Sequence, residues 1–411
     1  MPLYGCTALA GVDWDRVVLR GADGGVSPSG GTGGGHCPAT QVDCLRGCCA
    51  PNDAPGEVSQ LAAGGENTCV VTTTGLVRCW GGNGAGQLGR GADFRVPFLA
   101  KPTTVSLITS SAKAVAVGRG HACAIVDAQM ACWGSGGQGQ LGVGSAASSS
   151  VPVVIERLPG PPELVAAGNQ TTCAVVAGSL YCWGDNGGWQ AGNELTVSQL
   201  IPTSAASLDG AVTAIAVGAE GHSCAALARG GVSCWGNNTQ NRLGHAGISL
   251  TGAGVAVTGL PSTQASALAA GTYHACAAVQ GALACWGGNT FGELGDPRVT
   301  SASSGAVNNE LTVGVTSVCA GFGFTCAVQS GAVRCFGTNA DGQLGNGSRQ
   351  PSSLPVTAKV SGPARTVACG QMHACALLES GKVQCWGNGS QGQLGNNGVE
   401  AADRPVDVLW P

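Results

Sequence analysis

Charge is scarce in this chain: 10% of its 411 residues are Asp, Glu, Lys or Arg, and the formal net charge is −4. No run of Lys or Arg occurs, which argues against a nucleic-acid partner or an acidic membrane surface. No apolar stretch reaches the roughly 18 residues of a membrane-spanning helix. No segment keeps a helical period over about ten residues, so helices are not expected. Aromatic residues make up only 4% of the chain. Glycine (70) and cysteine (21) are abundant instead. A core built by such a chain must come from tightly packed strands and turns.

Fourteen of the cysteines fall into seven pairs: Cys69 with Cys79, Cys123 with Cys132, Cys173 with Cys182, Cys224 with Cys234, Cys276 with Cys285, Cys326 with Cys335, and Cys375 with Cys385. First members recur every 49 to 54 residues. A period that long, held seven times, is one structural unit repeated. Within a unit the apolar pieces are short, rich in Val and Ala, and bounded by Gly, Asn or Pro, which predicts about four strands per unit. After the second cysteine comes Trp80, Trp133, Trp183, Trp235, Trp286, Phe336 or Trp386, then a glycine. Nine residues beyond each ring lies another glycine: Gly89, Gly142, Gly192, Gly244, Gly295, Gly345 and Gly395. One large ring per unit at a fixed strand position suits packing between neighbouring units better than ligand stacking, since a ligand site rarely needs seven copies.

The cysteine separation is nine or ten, and the turn changes with it. Nine leaves two-residue loops (Asp127-Ala128, Ala177-Gly178, Gln280-Gly281, Ser330-Gly331), and ten leaves three-residue loops ending in Gly75, Gly230 or Gly381. These are the common hairpin loops. Counting outward from them places each cysteine pair at a non-hydrogen-bonded position, with Cα atoms about 4.5 Å apart, within disulfide reach. Each pair is therefore expected to be bridged within its own hairpin, which implies an oxidising compartment. Structural zinc prefers closer ligand spacing and four ligands, and reduced thiols are the other competing state.

Residues 1–36 are expected to be a flexible Gly/Ser-rich tether, 37–56 a small Cys-rich segment, and 57–411 the repeat domain. The connectivity of Cys37, Cys44, Cys48 and Cys49 stays open, as does whether Cys319 and Cys369 bridge neighbouring units or remain thiols. No standard signal peptide starts at Met1. Leu3-Tyr4-Gly5-Cys6 resembles the end of a bacterial lipoprotein signal, making Cys6 a candidate lipidation site if the true start lies upstream.

The pattern G-x-x-H-x-C, then C-W-G-x-N, then G-Q-L-G resembles the regulator of chromosome condensation repeat family over about residues 58–411. Matching stretches include Gly118 to Cys123, Cys79 to Asn83, Gly139 to Gly142 and Gly392 to Gly395. The resemblance implies an all-β, seven-bladed propeller of four-stranded blades, and closure into a ring would leave no apolar blade face exposed. In that family the best-known member exchanges nucleotide on a small GTPase and binds chromatin. The paired cysteines do not suit a nuclear protein, the N-terminal segment lacks a basic run, and the repeats leave no room for an exchange wedge. The family fold also serves a secreted bacterial inhibitory protein that grips an enzyme with loops on one face.

His121, His222, His274 and His373 occupy one repeat slot, two residues before the first cysteine. With Asn67, Thr171 and Phe324 in the other three, they cannot close a metal ring, and the family resemblance implies histidines that hydrogen-bond the turn within each blade. The glycine patterns Gly84-x-Gly86-x-x-Gly89 and Gly137-x-Gly139-x-x-Gly142 lack the strand-then-helix context of a dinucleotide site. No catalytic, metal or cofactor residues are assigned. If strands alternate in direction, the turn between strands one and two and the loop after the Trp strand share a face. That face would carry Phe94, Arg95, Trp189, Arg242, Tyr273, Phe291, Phe322 and Phe324. The sequence therefore reads as a monomeric, non-catalytic, extracytoplasmic interaction or inhibitory module, secreted or lipid-anchored, with a protein or cell-wall glycan as partner. Nucleotide exchange, and hydrolysis by a carboxylate pair in the channel, are the alternatives.

Overall fold

The computed structural model describes residues 42–44, 47–49, 57–91, 96–109, 111–205 and 208–411. The chain divides into two units, 1–56 with Pro411, and Glu57–Trp410. In the first, β1 (Val42–Cys44) pairs antiparallel with β2 (Gly47–Cys49). The tether over 1–36 and Cys6 lie outside the described residues, as do the side chains that bear on the connectivity of Cys37, Cys44, Cys48 and Cys49.

The second unit is seven four-stranded antiparallel sheets, each made of four consecutive strands. Blade 1 runs β3 (Val58–Gly64), β4 (Asn67–Thr72), β5 (Val77–Gly82) and β6 (Phe98–Thr104). Blades 2 to 7 repeat the order over 112–154, 162–204, 212–256, 265–308, 315–357 and 364–407. Second strands are buried along their whole length in five blades, β4 among them, and to their last residue but one in blades 2 and 6, because a blade is covered by a neighbour on both faces. Fourth strands are half-exposed, and five carry a mid-strand proline: Pro102, Pro152, Pro202, Pro355 and Pro405. Proline cannot donate to a ladder, so it fits an outer edge. The ends of all seven first strands surround a central cavity of about 140 Å³.

The hairpin turns follow the loop chemistry. The pairs Ala177-Gly178, Gln280-Gly281 and Ser330-Gly331 have both central residues at positive φ, the primed turn that matches strand twist. At Asp127-Ala128, where glycine is missing, only Asp127 enters that region (φ 53°). In every hairpin the two cysteines face each other in register and are bonded. Cys69 is joined to Cys79, Cys173 to Cys182, Cys224 to Cys234 and Cys326 to Cys335, each with Cα atoms 4.1 Å apart. Cys123 is joined to Cys132, Cys276 to Cys285 and Cys375 to Cys385, each at 4.0 Å. These separations are shorter than the 4.5 Å or so expected of a non-hydrogen-bonded pair, because the bond draws the two strands together. A closed loop of this size contributes roughly 2–3 kcal/mol per bridge. Cys319 and Cys369 are joined as well, between the first strands of blades 6 and 7, with Cα atoms 5.4 Å apart.

The core lies between blades. Trp133 of blade 2 packs with Cys69, Val71, Cys79 and Leu88 of blade 1. Among the described residues ring closure is non-covalent: Ala402–Asp407 completes blade 7. Val58, Leu61, Val70 and Trp80 then pack with Leu377, Val383, Leu394 and Val408 across the blade 7/blade 1 seam.

Candidate functional site: the loop face of the ring

Much of the repeat motif holds the loops in place. In blade 1 the Asn83 side-chain oxygen accepts the Leu88 N–H (3.2 Å), and Asn186, Asn238, Asn289 and Asn339 do the same for Ala191, Leu243, Leu294 and Leu344. Five residues of chain are thereby folded back into one compact loop. The Gln of G-Q-L-G accepts the N–H two residues earlier, as Gln140 does from Gln138 (2.9 Å). Its own carbonyl accepts the indole N–H of the next blade: Trp133 to Gln87, Trp183 to Gln140, Trp386 to Gln343, and Trp80 to Gln393 across the seam (2.7–2.9 Å). The glycine nine residues after each ring has the same cause. A Cβ on Gly395 would lie 2.8 Å from the Trp80 indole nitrogen, and one on Gly142 2.7 Å from that of Trp183. All seven rings are at most 1% exposed.

The histidine slot is also structural, but its partner differs from the expectation. The ring does not bond its own turn. His121 Nε2 meets the Thr172 hydroxyl of the next blade at 2.8 Å, His274 meets Thr325 at 2.7 Å, and His373 meets Thr68 across the seam at 2.9 Å. Each threonine hydroxyl donates to the carbonyl of residue 140, 293 or 393, so the histidine must donate through Nε2. Full burial lowers the histidines from 6.5, His121 to about 4 and His274 and His373 to about 3, so they are neutral at physiological pH. His222 breaks the series: the next blade offers Ala275, and neither ring nitrogen finds a partner. Burial first, then the charges of Arg242 and His274, lower it to about 3, against a smaller upward pull from the His274 backbone. Supplying the hydroxyl with Ala275→Thr should raise the unfolding free energy by about 1 kcal/mol. Urea denaturation measures it, and a loss of stability would show that the slot cannot take the extra atoms.

With the motif residues accounted for, the face narrows. Phe94 and Arg95 lie outside the described residues. Two assignments to the exposed face are corrected. Phe324 is fully buried: it fills the histidine slot of blade 6, its ring against Gly321. Arg242 is 3% exposed because it occupies the Gln slot of blade 4, its guanidinium folded back to donate to the Thr239 and Glu220 carbonyls (2.7 Å each). Desolvation lowers its pKa. Tyr273 and Phe322 are half-buried and Phe291 is 39% exposed. These three are brought together: Tyr273 meets Phe322 edge-on at 5.8 Å, Phe291 meets Phe322 at 6.0 Å, and Arg242 lies 5.3 Å from the Tyr273 centroid. Beneath them Glu293 sits in the Gln slot of blade 5, accepting the Phe291 N–H at 2.7 Å. Its other oxygen has no partner, and burial raises its pKa. Trp189 is half-buried, at φ 56° where blade 4 has Asn241 (φ 60°) and the other five blades place glycine, and its indole N–H is unpartnered. A left-handed bulky residue costs roughly 1–2 kcal/mol.

Apart from Phe322, the reading of the sequence missed the residues at the mouth of the channel. Arg119, Asn169, Glu220, Thr272, Phe322 and Gln371 line it, one at the turn after the first strand of each of blades 2 to 7, with Gly65 in blade 1. Five of those six share an offset in the sequence, one residue past the glycine that follows the strand, whereas Glu220 lies one residue further on, after Ala219. Backbone bonds between blades tie these turns together: Arg119 N–H to the Gly168 carbonyl, Thr272 to Gly321, Phe322 to Gln371 and Gln371 to Gly65 (2.8–3.2 Å). Among the described residues of this mouth the one carboxylate is Glu220, where the hydrolase alternative needs two. No group of three or more His, Cys, Asp or Glu among the described residues could hold a metal.

Comparison with known proteins agrees with this geometry. Two models described as "Regulator of chromosome condensation (RCC1) repeat" match residues 74–125, 130–175 and 330–377, and residues 58–87, 212–242 and 364–393. The E3 ubiquitin-protein ligase HERC2 of Homo sapiens is 28% identical over 286 residues, covering 66% of this chain and 5% of that ligase. The chain thus spans a small part of this curated relative. Human WBSCR16 shares the fold with a TM-score of 0.74 at 20% identity, over 82% of this chain and 94% of that one. Prp20p of Saccharomyces cerevisiae, whose structure is described with its binding to Gsp1p and histones, gives 0.74 at 22% identity, over 82% and 87%.

Proposed function

The chain belongs to the regulator of chromosome condensation repeat family, and from that premise we propose that it is a non-catalytic, extracytoplasmic protein-binding module. The observation that carries the reading is the Tyr273–Phe322–Phe291 cluster, backed by Arg242, on the loop face of blades 4 to 6. Aromatic side chains seated on rigid loops, half in water, are the chemistry of interface anchors. Trp189, held at a conformation that glycine would adopt without cost, adds a second such ring on blade 3. The bridges support the placement outside the cytosol, because intramolecular disulfides persist in oxidising compartments. A propeller carrying them presents its loops with little ordering cost on binding.

The test compares wild type with the Tyr273→Ala/Phe291→Ala double variant and with Trp189→Ala, used as baits on the surface fraction of the native organism. The double variant should lose capture of a partner by at least about tenfold, since each anchor contributes about 1 kcal/mol or more. Undiminished capture by a variant whose thermal unfolding matches wild type would overturn the assignment. A glycan partner would be revealed by capture that survives proteolysis of the fraction, and that too would contradict a protein-binding role.

A further inference from the structure

The eight bridges of the propeller are not equivalent. The fourteen hairpin cysteines are at most 1% exposed, whereas Cys319 is 8% and Cys369 9% exposed. Cys369 also lines the cavity at the channel mouth. Each hairpin bridge joins strands that a hydrogen-bond ladder already holds in register. The Cys319–Cys369 bridge joins two separate sheets, blades 6 and 7, which share no strand pairing. It closes immediately before two turns that matter to the loop face: Phe322 follows Cys319 by three residues and Gln371 follows Cys369 by two. Those turns are bonded to each other, Phe322 N–H to the Gln371 carbonyl at 2.9 Å.

We propose that the Cys319–Cys369 bridge is a reducible latch, open to small dithiols through the channel mouth, and that its reduction loosens the turn that carries Phe322. The second half rests on the docking face described above for its consequence, while the latch itself does not. Access to the sulfur governs which disulfide a thiolate attacks. One thiolate of a small dithiol attacks the Cys369 sulfur and the Cys319 thiolate leaves. The second thiolate of the dithiol then displaces Cys369. Two electrons pass to the protein, its two sulfurs take up two protons to become thiols, and the dithiol departs as its cyclic disulfide. The seven sealed bridges keep each blade intact, so the ring persists while one blade interface loses its covalent tie.

The experiment titrates the native full chain with dithiothreitol, traps free thiols with iodoacetamide, and maps them by mass spectrometry. Cys319 and Cys369 should be alkylated at least about tenfold faster than any hairpin cysteine, as expected where access decides the rate. Parallel labelling of hairpin and latch cysteines, or protection of the latch until the protein unfolds, would overturn the proposal. Hydrogen exchange on the selectively reduced protein should accelerate over residues 320–323 and 370–373 and stay unchanged over 118–120. The Cys319→Ser/Cys369→Ser variant should reproduce that pattern, and if it fails to fold the reduced wild type still gives the answer. Unchanged exchange at both turns would refute the loosening. None of these readouts needs a partner. If they hold while the Tyr273→Ala/Phe291→Ala variant keeps full capture, the latch stands and the docking face is wrong.

Discussion

Trp80→Ala should destabilise the propeller by about 3–5 kcal/mol, the cost of deleting a fully buried ring that the surroundings cannot refill. The ring spans the seam where blade 7 meets blade 1, and its indole N–H donates to the Gln393 carbonyl at 2.9 Å. The backbone of Gly395 approaches it closely, and Trp410 meets it edge-on at 6.1 Å. Among the described residues no disulfide spans this seam, so it depends on packing and on hydrogen bonds such as that of the indole. Trp80→Phe should cost much less, about 1 kcal/mol for the lost hydrogen bond plus some volume. Blade 6 already carries that solution, since Phe336 fills the slot at 0% exposure. Guanidinium unfolding of both variants separates the contributions of ring and N–H. Equal losses would mean that the hydrogen bond, not the packing, holds the seam.

Acid should destabilise the protein steeply between pH 6.5 and 4. Burial depresses His121 to about 4 and His222, His274 and His373 to about 3 in the folded state, against 6.5 in the unfolded chain. Between those values the unfolded chain binds more protons, so stability rises with pH. The contribution is complete above pH 6.5 and is lost as pH falls through that window. Each histidine accounts for roughly 1 kcal/mol per pH unit, and the four together for several. Glu293 opposes them, because its raised pKa favours the folded state in acid. His222→Phe is the informative variant. Its ring packs on Gly218 as Phe324 packs on Gly321, and no side-chain partner is lost. Urea midpoints at pH 7.5 and 5 should differ less for this variant than for wild type. An identical pH dependence would mean that His222 is not the buried neutral base described.

The repeat made most of the architecture legible, because a seven-fold pattern averages out local ambiguity. The hairpin loops follow from cysteine spacing alone, and the pairing within each hairpin follows from the loops, from Cys123 with Cys132 in blade 2 to Cys375 with Cys385 in blade 7. The aromatic slot is buried between blades as its recurrence implied. What escaped the sequence reading was contact between one blade and the next. His121 and Thr172 lie 51 residues apart, about one repeat. A signal existed: threonine precedes the first cysteine in the blade after His121, His274 and His373, and is missing only after His222. Phe324 and Arg242 were misplaced for a related reason. Each stands in a slot whose other occupants are core or fold back over the loop, and slot membership outweighs residue type. The Cys319–Cys369 bridge could not be derived, since the two positions are offset by one residue within their repeats. Cys319 opposes Cys326, whereas Cys369 opposes Ala374. The aromatic cluster draws on blades 5 and 6, and its arginine on blade 4, so no single repeat contains it.

A covalently stapled ring outside the cytosol is the premise of the functional reading. Protein purified from its native source should be unfolded in guanidinium with an alkylating reagent and no reductant, so that burial cannot hide a thiol. Cys173 and Cys182, and their counterparts in the other hairpins, should remain unlabelled until a reductant is added. Labelling of those pairs before reduction would contradict the account and return the protein to a reducing compartment.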